Sequence, residues 1–309
     1  MAQAVTVYRW DDPGAPQVAS ATPSELLMII RKCCVDGYGS KAPLGWNLLQ
    51  DDGTLLAMQN SVADGGSGSI VQFRSRSDSD SSGNIIYIKG AAAFNGVDDL
   101  IRPSYQKALQ GKTSWTSWIL VGTPTAFYFV CGHPTKSVAG AEREFNDITI
   151  FVGDIKSYIQ ADAGRFTVVS GGEDYDVTKT DINIWTYHWD RAVCSYSGTS
   201  STVALWSPDG GSSKINYYIR PPFCDGGYQS PSTTPCEYFQ PFLITQNGSY
   251  NTNRGHQSMR GEMPGLVSPI WPFQATETWP SIVEINGAQH LAIRGVRSSV
   301  KSYINLEQW

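Results

Sequence analysis

Short apolar runs, each about one strand long and closed by Gly, Pro, Asn or Ser, recur along almost the whole chain. They are Val5–Trp10, Ser69–Arg74, Asn84–Lys89, Ser117–Val121, Ala126–Cys131, Asp147–Val152, Arg165–Ser170, Asp181–Trp189, Thr202–Trp206, Lys214–Ile219, Tyr238–Thr245, Ile282–Ile285 and Leu291–Arg294. Runs of this length between turn-forming residues favour antiparallel pairing. The 30 Gly and 17 Pro supply the turns that such a chain needs. The expected fold is mainly β (α+β): antiparallel sheets or a β-sandwich, with one amphipathic helix near the N-terminus.

That helix has both a start and a stop signal. Thr22 suits the N-cap, Pro23 the first helical position, and Glu25 completes a capping box. Leu26, Leu27, Ile29, Ile30, Cys33 and Cys34 follow at helical spacing, and Arg31 and Lys32 complement the dipole at its C-terminal end. Gly37 is placed to take the left-handed position that ends the helix. A second helix is expected within Val97–Leu109, interrupted by Pro103.

The glycine-rich stretch Asp36-Gly37-Tyr38-Gly39-Ser40-Lys41 trails this helix and leads to Pro43 and Gly45-Trp46. A phosphate cradle needs the positive pole at a helix start, whereas this segment meets the negative pole at a helix end. It reads as a fold signature. Gly37 ends the helix and Gly39 permits a second unusual backbone angle. Pro43 stiffens the exit, and Tyr38 and Trp46 pack beside the helix and the first strand.

With 309 residues, the chain has room for one large domain or two smaller ones. Ser61–Ser69 and Ser75–Gly83 read as surface loops or hairpin tips. The boundary is expected in Ser170–Thr180. Residues 1–170 then form a helix-plus-β part and 171–309 a second β-rich part with an elaborated insertion at 195–236, the alternative being a single domain.

Charged residues make up 17% of the chain, against about 25% in ordinary soluble domains, and aromatics 12%. Low charge with many aromatics suits a surface covered by partners, and it equally suits a β-rich composition. A net charge of −5 gives no basic stripe for nucleic acid. No apolar run is long enough to cross a bilayer, so no membrane insertion is expected. Met1–Val5 lacks the charged and apolar regions of a secretory signal, and synthesis in the cytoplasm is expected.

Reaction chemistry leaves little trace. Gly65-Gly66-Ser67-Gly68 has the wrong setting for a nucleophile elbow and reads as a flexible hairpin. The acidic groups Glu142, Glu144 and Asp147, and Glu173, Asp174 and Asp176, read as solvated loops, with calcium a lesser alternative. Six cysteines form no CxxC pair and gather no histidines, which argues against zinc. Among Cys194, Cys224 and Cys236 one disulfide is the alternative to free thiols. Asn247-Gly248-Ser249 matches a glycosylation sequon but reads as a turn. No catalytic, cofactor or metal residue is assigned. Trp185 and Trp189 are the candidate surface aromatics for a sugar, because on one strand they would point the same way; core packing is the competing reading.

Val7-Tyr8-Arg9-Trp10-Asp11-Asp12-Pro13-Gly14-Ala15-Pro16, the helix, and the Asp36–Lys41 segment with Gly45-Trp46 together resemble a family of tailed-bacteriophage virion structural proteins. The resemblance resumes at Trp118–Gly122, Phe127–Phe129, Phe151–Ser157 and Arg260–Leu266. The chain departs from the pattern at Ser61–Gly83, where family members carry a compact strand-and-turn segment, and at the 195–236 insertion. The resemblance implies a non-enzymatic virion component made in the host bacterial cytoplasm. It would be repeated as a homo-oligomer and bound to other head or tail proteins. A tail or tail-tip position is expected, with capsid decoration or a neck position the alternative. A module binding a host surface glycan is a further alternative, and a glycan-degrading enzyme the last. The family offers no catalytic residues to carry over.

Overall fold

The computed structural model describes residues 3–134, 148–170, 189, 202–220, 237–245, 258–269, 279–294 and 300–309. Strand makes up 48% of the described residues and helix 8%, and every pairing between described strands is antiparallel. The chain is therefore mainly β, with its helix near the N-terminus.

At the centre lies a five-stranded sheet in the order β1 (Thr6–Arg9), β9 (Ser117–Gly122), β10 (Ala126–Gly132), β11 (Ile148–Asp154) and β13 (Phe166–Ser170). Every residue of β9, β10, β11 and β13 is buried. Successive side chains on a strand point to opposite faces, so this sheet feeds two cores. Trp118, Leu120, Phe127, Phe129, Ile150 and Val168 enter the first core. Ile119, Val121, Tyr128, Val130, Phe151 and Val169 enter the second.

The first core is closed by α1 (Pro23–Arg31) and by a sheet in the order β2 (Asn47–Asp51), β3 (Leu55–Gln59), β4 (Ile70–Ser75), β5 (Ile85–Ala91) and β8 (Lys107–Gln110). The helix buries Leu26, Leu27, Ile29 and Ile30, and its capping box between Thr22 and Glu25 is formed as expected. Two sheets close the second core. The third sheet runs β12 (Lys156–Ser157), β18 (Met259–Glu262), β17 (Phe242–Thr245), β15 (Lys214–Arg220), β14 (Thr202–Trp206). The fourth runs β16 (Tyr238–Phe239), β19 (Leu266–Pro269), β22 (Val300–Asn305), β21 (Ala288–Arg294), β20 (Ile282–Ile285).

Residues 1–170 and 171–309 are joined through this second core. Tyr128 and Phe151 from the first stretch pack with Leu205, Leu243, Leu291 and Ile304 from the second. β12 is an edge strand of the third sheet. Gln3 and Trp309 exchange backbone hydrogen bonds of 2.8 and 3.0 Å.

Three local expectations are corrected. The helix does not stay α-helical to Gly37: Lys32–Asp36 widens into a π-turn, and Gly37 N–H donates to the Lys32 carbonyl at 2.7 Å. The returning chain uses the freed carbonyls, with Leu44 N–H donating to Cys33 and the Gly45 and Trp46 N–H groups to Cys34. Second, Val97–Leu109 holds no helix. It contains β7 (Asp99–Ile101), which pairs with β6 (Ala93–Gly96), and the start of β8. Asp98 and Arg102 have positive φ, and Pro103 lacks the N–H that a helix interior needs. Third, Tyr238–Thr245 is two strands. The break at Gln240-Pro241 sends β16 and β17 into different sheets. Ser61–Ser69 and Ser75–Gly83 do join consecutive antiparallel strands, β3 to β4 and β4 to β5.

Phe129 is fully buried in β10. Phe129→Ala is expected to cost about 3–5 kcal/mol, read from urea unfolding at neutral pH. A cost below about 1 kcal/mol would mean that the first core does not rest on this strand.

Candidate functional site

The Asp36–Trp46 segment closes against the turn after β1. Gly39 has φ +53, and a Cβ there would run into the Pro13 carbonyl oxygen. Gly37 has φ +77 and ψ 172, so its φ is positive as expected but its ψ is extended rather than left-handed helical. A Cβ on Gly37 would lie 2.6 Å from the Lys41 carbonyl and 3.2 Å from Pro43 Cδ. The Tyr38 hydroxyl donates to Asp12 Oδ2 at 2.9 Å and accepts from Arg9 N–H at 3.2 Å. Its ring lies 5.8 Å from Tyr8 and 6.1 Å from Trp118. Lys41 Nζ donates to the Val7 carbonyl at 2.9 Å, and Tyr8 donates to the Ala42 carbonyl at 2.6 Å. Tyr38 thus packs beside the first strand as expected.

Trp46 reaches further. It packs on the central sheet, 5.3 Å from Phe127 and 6.3 Å from Phe166, and donates to the Thr123 carbonyl at 3.3 Å. Burial raises the pKa of Tyr8, and burial followed by the Asp12 hydrogen bond raises that of Tyr38. Burial likewise pushes the Cys33 and Cys34 thiols well up. The groups of this clasp are held protonated and inward, which suits a joint and not a nucleophile.

The Gly65–Gly68 loop is pinned where a flexible hairpin was expected. Ser67 N–H and Oγ donate to the two Asp154 oxygens at 2.7 and 2.6 Å. Arg165 Nε donates to Asp154 Oδ2 at 3.0 Å, and its Nη2 donates to the Gly65 carbonyl at 2.9 Å. Burial raises the Asp154 pKa, against the lowering effect of Ser67 and Arg165. Ser67 faces a carboxylate, not the imidazole that would activate it.

Sequence reasoning missed the most deeply buried ion pair among the described residues. Arg260 grips Asp162 through Nη2 at 2.6 Å and Nε at 2.9 Å, with both side chains at most 1% exposed. Ser157 Oγ and Gly164 N–H also donate to Asp162, at 2.7 and 2.9 Å. Arg260 Nη1 donates to the Tyr217 hydroxyl at 3.3 Å. Burial alone would raise the Asp162 pKa, but the hydrogen bonds from Arg260 and Ser157 outweigh it, and the pKa lies below the ordinary value. The one hint in the sequence was Arg260 standing within a stretch of the resemblance.

Of the two expected surface aromatics, Trp189 is buried. Trp189 is 2% exposed, its backbone is helical, and it donates to Ser302 Oγ at 2.8 Å while meeting Tyr128 edge-on at 6.0 Å. An indole so enclosed packs the second core. Trp185 lies outside the described residues, as do Cys194, Cys224, Cys236, both acidic groups and the Asn247 sequon. Among the described residues, no group of three His, Cys, Asp or Glu side chains is placed to hold a metal ion. No helix among them is long and apolar enough to cross a membrane.

A hollow of about 230 Å³ opens between the third and fourth sheets. Lys156, Gln240, Gly265, Leu266, Val267, Asn305, Gln308 and Trp309 line it. Gly265 has φ +66 and lies directly against the Trp309 indole, where a Cβ would collide with the ring. Trp309 Nε1 donates to the Asn305 carbonyl at 2.9 Å. Tyr158, 52% exposed, stands in the bend after β12 with its ring 6.4 Å from Phe242 and its hydroxyl 3.1 Å from Glu262 Oε2.

Comparison with models of known protein families and with curated proteins finds no match.

Two outcomes are expected. Gly39→Ala combines positive-φ strain with a collision, whereas Gly45→Ala has φ +90 but nothing within 4 Å of its Cβ. Gly45→Ala should cost about 1–2 kcal/mol and Gly39→Ala clearly more, by urea unfolding; equal costs would rule out the clasp contact. Arg260→Met leaves Asp162 buried without its partner and should cost about 3–5 kcal/mol at pH 7. Because the folded pKa of Asp162 is lowered, the stability it contributes is present above the ordinary carboxylate pKa and is lost as pH falls through the lowered value. The gap between wild type and Arg260→Met should therefore narrow in acid. A gap independent of pH would contradict the ion pair.

Proposed function

We propose that this chain is a non-enzymatic structural component of a tailed-phage virion, present in multiple copies and associated with the tail or tail tip. Capsid decoration or a neck position is the alternative. One observation carries the reading: the residues of the resemblance serve the scaffold. Tyr8, Gly37, Tyr38, Gly39 and Trp46 build the clasp. Trp118–Gly122 and Phe127–Phe129 lie in the doubly buried sheet. Phe151–Ser157 ends by donating Ser157 Oγ to the buried ion pair, and Arg260–Leu266 carries that pair's arginine and the glycine beneath Trp309.

Exposed apolar side chains accompany this scaffold. Leu48 and Leu49 lie on edge strand β2, Met259 on β18 of the third sheet, and Tyr158 and Ile159 in the bend after β12. Neighbouring copies, or head and tail proteins, would cover such positions in a symmetric array. Tryptic mass spectrometry of purified virions tests the proposal. The chain should be present in multiple copies per particle. Virions free of it, from lysates that contain it, would overturn the reading.

A second reading, binding of a host surface glycan, is favoured by the exposed ring of Tyr158.

A further inference from the structure

We infer that β2 is the docking edge for a second copy of this chain. The two β2 strands pair antiparallel about a two-fold axis and join two copies of the second sheet into one. This assigns a surface and a symmetry to contact between copies. It does not rest on the virion reading, which particle mass spectrometry tests by itself.

β2 ends the second sheet and pairs with β3 alone. Along its other side, the backbone N–H and C=O groups have no hydrogen-bond partner among the described residues. Such an edge is a template for another strand. The other ends of the five-stranded sheets are covered or blunted. On β1, Lys41 Nζ donates to the Val7 carbonyl and Arg9 N–H donates to Tyr38. β8 and β14 both lie against β13. β12 and β16 are two residues long, and β20 carries the exposed Glu284.

β2 has none of these protections. Asn47-Leu48-Leu49-Gln50 carries no charge and no proline. Asn47, Leu48 and Leu49 are all exposed, so the strand meets solvent on its faces as well as its edge. A bulge lies between Leu48 and Gln50. Bulges commonly shield an edge, but this one leaves two consecutive leucines 38 and 39% exposed. Neither leucine belongs to either core.

Charge selects the direction of pairing. Asp51 and Asp52 stand together at the C-terminal end of β2. Parallel pairing in register would set each Asp51 about 4.8 Å from its counterpart, and like charges directly opposite are destabilising. Antiparallel pairing sets the acidic end beside the partner's uncharged Asn47 and gathers the leucines of both copies at the axis. Asp51 is also held at its own end by Arg31 at 2.6 Å. The same residues serve both sides, which closes the pair at two copies. An open row would need a second free edge on the same chain, and the blunted ends offer none.

The test uses the full chain in sedimentation velocity over a range of concentrations. A dimer should form as concentration rises. Leu49→Lys, which sets two ammonium groups together at the axis, should weaken it by roughly tenfold or more. Because Leu49 lies outside both cores, this variant should melt as the wild type does. In parallel, copper–phenanthroline oxidation of Leu49→Cys should link two copies through position 49, with peptide mapping to separate this bond from any made by native cysteines. Asn47→Cys should not link to itself, because antiparallel pairing sets the two positions roughly 10 Å or more apart along the strands, beyond the ~7 Å that a disulfide spans. A chain that stays monomeric and forms no bond at position 49 overturns the inference, including the case in which a different protein takes this edge. A dimer that Leu49→Lys leaves intact also overturns it, as does equal linking at 47 and 49, the mark of parallel stacking.

Discussion

The rest of the molecule depends on one sheet that is buried on both faces. β9, β10, β11 and β13 have no exposed residue, and their alternate side chains belong to different cores. Phe129 and its neighbour Tyr128 illustrate the arrangement: one packs toward the helix, the other toward Trp189 and Trp309. Loosening this sheet would open both cores at once. The helix with the second sheet, and the third and fourth sheets, each turn an apolar side to the central sheet, which covers it.

The clasp secures the approach to the central sheet. Its glycines allow two backbone segments to touch, and Tyr38 and Lys41 tie the segment to β1 by hydrogen bonds to Arg9 and Val7. The π-turn at Lys32–Asp36 supplies the carbonyls that receive Leu44, Gly45 and Trp46. On the far side of the sheet, the Asp162–Arg260 pair plays a comparable part, joining the loop after β12 to β18. Such a pair fixes geometry more than it adds stability, since burying both charges is costly.

What could be read from sequence was local. The capping box lies within four residues, and the strands richest in β-branched and aromatic residues, such as Ala126–Cys131, announced themselves. β2 and β3 did not. Leu48-Leu49 and Leu55-Leu56-Ala57-Met58 consist of good helix formers, and only pairing around the Asp52-Gly53 turn makes them strands. The Asp162–Arg260 contact spans 98 positions, so nothing local distinguished it from two solvated charges. The need for glycine at position 39 was legible, but its cause, the Pro13 carbonyl, was not. Trp189 showed the limit of aromatic spacing: a two-residue period assigns a face only if the backbone is a strand, and at Trp189 it is helical. The lining of the hollow comes from four separated segments and left no motif at all.

The glycines of the clasp and the aromatics of the central sheet are turned inward and serve the scaffold. That view requires the whole chain to behave as one rigid unit built on the central sheet. Native-state hydrogen exchange measures this most directly. The account predicts that the amides of Phe129 and Ile150 in the central sheet exchange with the same, highest free energy as those of Leu243 and Ile304 in the third and fourth sheets. Exchange of Leu243 and Ile304 several kcal/mol below the central sheet would show the C-terminal strands opening on their own, and would contradict it.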